Sequence, residues 1–204
     1  MLDRRTFFLS AAALVVSPRI PAAQATAADA GQFIQGLADA AMKAVAVKDL
    51  QDAERAARFR TLFVNNFDLL EISRFVLGRY WRPATAEQRA EFQKLFEDIQ
   101  VYTWTRRFKE YSGETLAISG VTAEENNYVV TSQIKRTSLA PINVQWRVRK
   151  DADVFRVVDI VVEGASMAIT FRSDYGGVLA SQGGKMDGLL TVMRQKLDQM
   201  MQPS

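Results

Sequence analysis

The chain has no cysteine and no histidine among its 204 residues, and only five prolines. Without cysteine no disulfide staples the fold, so packing alone must hold it. Without histidine a Ser-His-acid triad has no base, and zinc and the softer metals lose their usual ligands. Long apolar runs are missing too: none reaches the roughly 18 to 20 residues that a membrane-spanning helix needs. No glycine-rich phosphate loop follows a strand, so nothing supports nucleotide binding. With 48% hydrophobic and 24% charged residues, the composition is that of one globular domain with a real core.

The N-terminus has the pattern of an export signal. Arg4-Arg5 form a charged region, Phe7 to Val16 an apolar run, and Ala23-Gln24-Ala25 a small-residue cleavage site, so residues 1–25 are expected to be removed. The string Arg4-Arg5-Thr6-Phe7-Phe8-Leu9 is similar to a twin-arginine signal, with Asp3 where Ser or Thr is usual; ordinary secretion is the alternative. Without Arg4, Arg5, Arg19 and Asp3 the chain keeps 23 basic and 22 acidic residues. This near-neutral balance leaves no cationic excess for nucleic acid.

Helical periodicity dominates the first half. Gly31 to Lys48 is an Ala-rich amphipathic segment and Gln51 to Asn66 a second. Asp68 and Glu71 have the spacing of a capping box ahead of a short helix through Ile72, Phe75 and Leu77 to Gly78. Thr85-Ala86-Glu87-Gln88 is another, opening the longest helix, with Phe92, Phe96, Ile99 and Thr103 on one face and Trp104 and Phe108 on a second apolar stripe. Ser112-Gly113 stops it.

After Gly113 the period falls to two. Thr115–Val121, Tyr128–Arg136, Ile142–Arg149 and Val154–Val162 are four strand candidates joined by turn residues, which predicts an antiparallel meander. In the third, Ile142, Val144, Trp146 and Val148 point one way and polar residues the other. The fourth has apolar residues in both phases, as expected of a strand buried on both faces, and Gly164 lets the chain turn at its end. Beyond Ser166 the pattern fits strand or helix; a helix is expected from Ser173, a break at Gly183-Gly184, and a last helix through Leu189 to Met200. The fold class is α+β: helices on one face of a four-stranded antiparallel meander, in one domain over residues 26–204.

Four places have residues that could carry chemistry. Gly164-Ala165-Ser166-Met167-Ala168 is similar to a relaxed nucleophile elbow, but no imidazole exists to activate the serine. Ser132 and Lys135 have Ser-Lys spacing, yet positions three apart on a strand face opposite sides. Glu124-Glu125-Asn126-Asn127 reads as a solvated turn in preference to a calcium loop, and Asp159 and Glu163 as capping or pairing groups in preference to an acid-base pair. What remains is an apolar interior, which periodicity alone leaves open between a packed core and a cavity.

Arg79-Tyr80-Trp81-Arg82-Pro83-Ala84-Thr85-Ala86-Glu87-Gln88-Arg89, followed by Phe92 and Phe96, resembles the first signature of the MlaC family of periplasmic phospholipid-binding, or toluene-tolerance, proteins. The run from Val158 to Met167 resembles the second, and Tyr175 with Gly184 to Leu190 the C-terminal region. Pro83 and Ala165 depart from the usual residues without touching a mechanism.

The resemblance implies a monomeric, non-enzymatic periplasmic shuttle that maintains outer-membrane lipid asymmetry. It implies no cofactor, a bound phospholipid as cargo, and as partners an inner-membrane ABC lipid transporter and an outer-membrane lipoprotein complex. It also implies an acyl-chain cavity between helices and sheet. Two chains of roughly sixteen carbons would cost on the order of 20 kcal/mol to expose, at about 0.8 kcal/mol per methylene, so a carrier must sheath both. The expected enclosing surfaces are the dry sheet face (Val130, Ile134, Val144, Trp146, Val148, Val158, Ile160, Val162) and the long-helix face (Phe92, Phe96, Ile99, Thr103). Phe75 and Met167 are expected near the mouth, with Arg79, Arg82 and Arg147 as charged residues around it. A hopanoid or sterol-like cargo and a solid-cored envelope interaction module are the alternatives.

Overall fold

The computed structural model describes residues 22–45, 47, 49–111, 113–125 and 127–202. The leader expected over residues 1–25 falls outside them except for residues 22–25.

Helix α1 (Ala22–Val45) begins earlier than Gly31 because the preceding alanines are the strongest helix formers. It lays Ala30 and Ile34, both fully buried, on the sheet. At Gly31 a Cβ would stand 3.1 Å from a Val121 methyl, so glycine lets helix and strand approach. The buried Arg55 guanidinium donates to the carbonyls of Val45, Val47 and Leu50. It thereby closes the C-terminus of α1 and ties it to α2 (Asp52–Asn66).

Helix α3 (Leu69–Leu77) is capped by Asp68, whose side chain accepts from the Glu71 N–H at 3.0 Å. A 3₁₀ turn over Gly78–Tyr80 leads to α4 (Ala86–Lys109). The capping box that opens α4 is complete: Thr85 Oγ1 accepts from the Gln88 N–H at 3.2 Å, and Gln88 Oε1 from the Thr85 N–H at 3.0 Å.

The meander is antiparallel throughout, in the order β1 (Thr115–Glu124), β2 (Asn127–Lys135), β3 (Ile142–Asp151), β4 (Val154–Val162) and β5 (Ala165–Ser166). The sheet therefore has five strands, not four. Glu163 and Gly164 both take positive φ (48° and 83°), the backbone of a two-residue hairpin turn, which brings Ala165 opposite Val162. Two residues of strand are too short to leave an alternation signal. Val130, Trp146 and Ile160 fall in register on one face, beside Val144 and Val162. A bulge at Arg147/Val148 shifts the phase, so that Val157 replaces Val158 opposite Val148. As expected, β4 is covered on both faces: Val157, opposite Val148, and Val161, opposite Gln145, are buried, and only Val154 at the start of the strand is exposed.

Helix α5 (Met167–Ser181) starts directly after β5, six residues before the position expected from the sequence, because Ser166 caps it. Ser166 Oγ accepts from the Ile169 N–H at 3.1 Å and donates to Asp159 Oδ2 at 2.6 Å. Asp159 Oδ1 also accepts from the Ala168 N–H at 3.0 Å. The serine that resembles a nucleophile is thus a helix cap held by a carboxylate. Gly183 and Gly184, at φ 65° and 78°, turn the chain into α6 (Met186–Met201).

Helix α1 lies across β1 and β2, while α2, α3 and α5 meet the sheet at β4. Two cores result. One joins Ile34 to Val130, Val148 and Val157; the other gathers Phe92, Phe96, Leu189 and Met193 among α2 to α6. Phe67 packs against both. Its backbone bridges to Val157, and the Asp68 N–H donates to the Val157 carbonyl at 3.0 Å. The Asp68 carboxylate also pairs with Arg149 at 2.5 Å.

Two expected outcomes test these joints by urea denaturation of the mature chain. Asp68→Ala removes a cap and a part-buried ion-pair partner at once, and is expected to cost about 1.5–3 kcal/mol. Ser166→Ala removes the α5 cap and is expected to cost about 1 kcal/mol.

Candidate functional site

Along α4, Phe96, Gln100 and Trp104 recur at four-residue spacing and so share one side of the helix. That side faces the seam between the two cores. Phe63 of α2 and Phe67 close one wall, Phe171 of α5 another, and Val158 and Ile160 of β4 the third. The rings interlock: Phe96 meets Phe171 edge-on at 5.3 Å between centroids, and Phe63 lies 4.7 Å from Phe67. They leave a cavity of about 50 Å³.

A cleft of about 340 Å³ lies on the other side of Val158, Asp159 and Ala168, which line both spaces. The cleft reaches the surface between Phe75 and Ile169, 41% and 59% exposed. Two exposed apolar side chains thus stand at the cleft, and Val158, Asp159 and Ala168 separate it from the aromatic interior. Arg147 and Arg149 stand on its sheet side. Arg149 is held by Asp68 and, at 3.6 Å, by Glu71; Arg147 has no ion pair among the described residues. On the helix side the Arg172 guanidinium lies 5.1 Å over the Phe75 ring and donates to the Phe75 carbonyl at 3.1 Å.

Electrostatically the interior is quiet. The Asp159 carboxylate is occupied by the Ser166 hydroxyl and the Ala168 N–H. Burial pushes the Tyr175 phenol well up from its ordinary value, with the nearby Asp174 charge adding to it, so the ring stays neutral beside Phe92 and Phe96. Among the described residues no cluster of three or more Asp or Glu is placed to hold a metal ion. No described helix is long and apolar enough to cross a membrane. The arrangement suits an apolar ligand whose polar end stays near the arginines.

Of the residues expected to line a site, Phe96, Val158, Ile160 and Met167 come together at the cavity, and Phe75 stands at the mouth of the cleft. Phe92 and Ile99 lie in the helical core, and Val130 and Val148 under α1. Trp146 shares that sheet-side core, and its indole N–H donates to Ser132 Oγ at 3.0 Å. Val144 is buried, Ile134 and Val162 are half-buried, and the Thr103 hydroxyl donates to the Ile99 carbonyl at 2.7 Å; none of these four lines the cavity or the cleft. Sequence reasoning missed Phe63, Phe67, Gln100 and Phe171. Trp104 was legible as a second stripe on the long helix, and that stripe proves to be the seam side.

Comparison with known proteins gives a consistent picture. The family model described as MlaC protein matches residues 35–195. The chain is 30% identical over 129 residues to the intermembrane phospholipid transport system binding protein MlaC of Haemophilus influenzae, an alignment covering 61% of this chain and 59% of that protein. The chain thus spans about 59% of the length of this curated relative. Its fold is similar to that of the phospholipid-binding protein of Ralstonia solanacearum solved in complex with a phospholipid. The TM-score is 0.78 at 21% identity, over 85% of this chain and 99% of the other. With the family model spanning most of its length, the chain belongs to the MlaC family.

Proposed function

We propose that the protein is a periplasmic carrier of phospholipid, working in an Mla-type transport system between an inner-membrane ABC transporter and an outer-membrane lipoprotein complex. The observation that carries this reading is the arginine-flanked cleft beside Phe75 and Ile169, which shares the wall of Val158, Asp159 and Ala168 with the aromatic cavity at the seam. Membership of the family and the resemblance to a protein solved with a phospholipid support it. Export by a leader over residues 1–25 belongs to the same reading.

The cavity volume sets the mechanism. Ligand pockets run to about 300–1,000 Å³, and 50 Å³ is far below that. Two acyl chains therefore enter only if the seam parts, with α4 and α5 moving away from β4 while each core stays packed. The surfaces that part are the rings of Phe96, Trp104 and Phe171 on one side and the Val158 and Ile160 side chains on the other, and acyl methylenes replace their contacts with equivalent dispersion. The phosphate stays outside at the arginines, since burying its charge would cost far more than the chains gain.

Organic extraction of purified mature protein, followed by mass spectrometry, is expected to recover about one phospholipid per chain. No lipid from native preparations, and none after incubation with phospholipid vesicles, would overturn the carrier reading and favour a solid-cored interaction module. A hopanoid in place of phospholipid would correct the cargo. Ile160→Lys places a charge in the seam and is expected to lower lipid recovery at least about tenfold while circular dichroism stays native. Unfolding of that variant would mean that Ile160 belongs to a solid core.

A further inference from the structure

A second feature lies across α3 from the cleft. Arg74, Gly78, Arg79, Trp81, Arg82 and Arg89 form a broad, open depression of about 740 Å³ whose lining holds four arginines and no carboxylate. Among the described residues none of the four has an ion pair, although the remaining arginines and lysines include several that do. An uncompensated cluster of this kind is electrostatically unfavourable for the chain itself, which points to a counter-charge supplied from outside.

The cluster is also built, not merely gathered. Arg89 Nε donates to the Trp81 carbonyl and its Nη2 to the Arg82 carbonyl, both at 2.9 Å. The Arg89 and Arg74 guanidinium groups lie 5.3 and 5.9 Å from the Trp81 ring, and Arg79 lies 4.8 Å over Tyr80 and donates to its hydroxyl at 2.7 Å. The backbone beneath is pinned by the α4 capping box and by Gln88, which donates to Asp187 of α6 at 2.7 Å. Side chains fixed in advance lose little entropy on binding.

We infer that this depression docks a protruding acidic segment of a partner protein. Arginine guanidinium groups match carboxylates two bonds at a time. Trp, Tyr and Arg are also the residues that most often carry the binding energy of protein interfaces. The concavity favours a projecting segment over a flat bilayer. The two sites share no lining residue, but α3 links them: Arg74 faces the depression, and Phe75 the cleft. Arg172 sits between, holding the Phe75 carbonyl while its Nη2 lies 2.9 Å from where a Cβ on Gly78 would be. A partner seated on the arginines is thereby placed beside the mouth, where cargo would change hands; that last step rests on the carrier reading, and the docking itself does not.

The test uses a fluorescent fifteen-residue polyglutamate peptide as probe. It is expected to bind mature protein in a salt-dependent manner and to change its tryptophan emission. Arg79→Glu/Arg82→Glu is expected to weaken binding about 100-fold, roughly tenfold per lost charge-assisted contact. Arg106→Glu/Lys196→Glu, an equal charge reversal on exposed positions elsewhere, is expected to change it less than about threefold. Trp81→Phe is expected to abolish the emission change. Equal loss in both double variants, or an emission change that survives Trp81→Phe, would overturn the assignment. So would arginine-dependent sedimentation with phosphatidylglycerol vesicles without peptide binding, which would assign the surface to a bilayer. Lipid recovered by extraction is expected to be unchanged in Arg79→Glu/Arg82→Glu; its loss would make the arginines part of the cargo site instead.

Discussion

The contact on which the rest depends is the junction of Phe67 and Asp68 with β4. The backbone there adds to the strand edge at Val157, the Phe67 ring enters both cores, and the Asp68 carboxylate caps α3 while holding Arg149 of β3. Arg156 reinforces the joint through the carbonyls of Val64 and Asn65 at the end of α2. An outer strand leaves unpaired backbone groups that invite aggregation. Here Phe67 and Asp68 cover β4 at one end and β5 covers it at the other, so protecting the edge and docking the helices are one operation.

Placing the helices at an edge decides where a ligand goes. A cavity inside a single core can enlarge only by disrupting packing on every side. A cavity between two cores can enlarge by separating them, each keeping its own interior. The aromatic seam is bounded by elements that belong to different cores, α4 and α5 on one side and β4 on the other. The corner at Glu163-Gly164 and the Ser166 cap hold the start of α5 close to β4, so any parting must be larger farther along α5, toward Phe171.

Much of this order was legible in the sequence because it is local. Thr85 with Gln88, Asp68 with Glu71, the alternation of Ile142 to Val148 and the glycines at 164, 183 and 184 each act within a few residues, and each marks a real boundary. The fifth strand was not legible, since Ala165-Ser166 is too short to alternate. A strict period of two likewise carries no sign of the bulge that brings Val157 opposite Val148. The candidate site was half legible for a related reason. Periodicity shows that a helix side is apolar but not which apolar surface it meets, so Phe92 and Ile99 were as good candidates as Phe96. Phe63 and Phe67 became seam residues only when α2 docked at the strand edge, a long-range event without a local pattern.

On the carrier reading, the aromatic character of the seam follows from what a carrier must do between cargoes. A void costs about 24 cal/mol per Å³, so a dry interior space of roughly 500 Å³ would cost on the order of 12 kcal/mol. That is comparable with the whole stability of a domain, about 5–15 kcal/mol. A site wide enough for two acyl chains thus cannot stand open and dry; it must close on its own lining when the lipid leaves. Flat rings serve this better than a wall of branched aliphatics, because they pack edge-on or offset with small rotations and recover favourable contacts in either arrangement. Phe96 against Phe171 shows such packing on the α4–α5 side of the seam, and Phe63 against Phe67 beside it. The cost of opening is then set by a few ring contacts and not by the unfolding of either core, which is the condition for a binding site that fills and empties repeatedly.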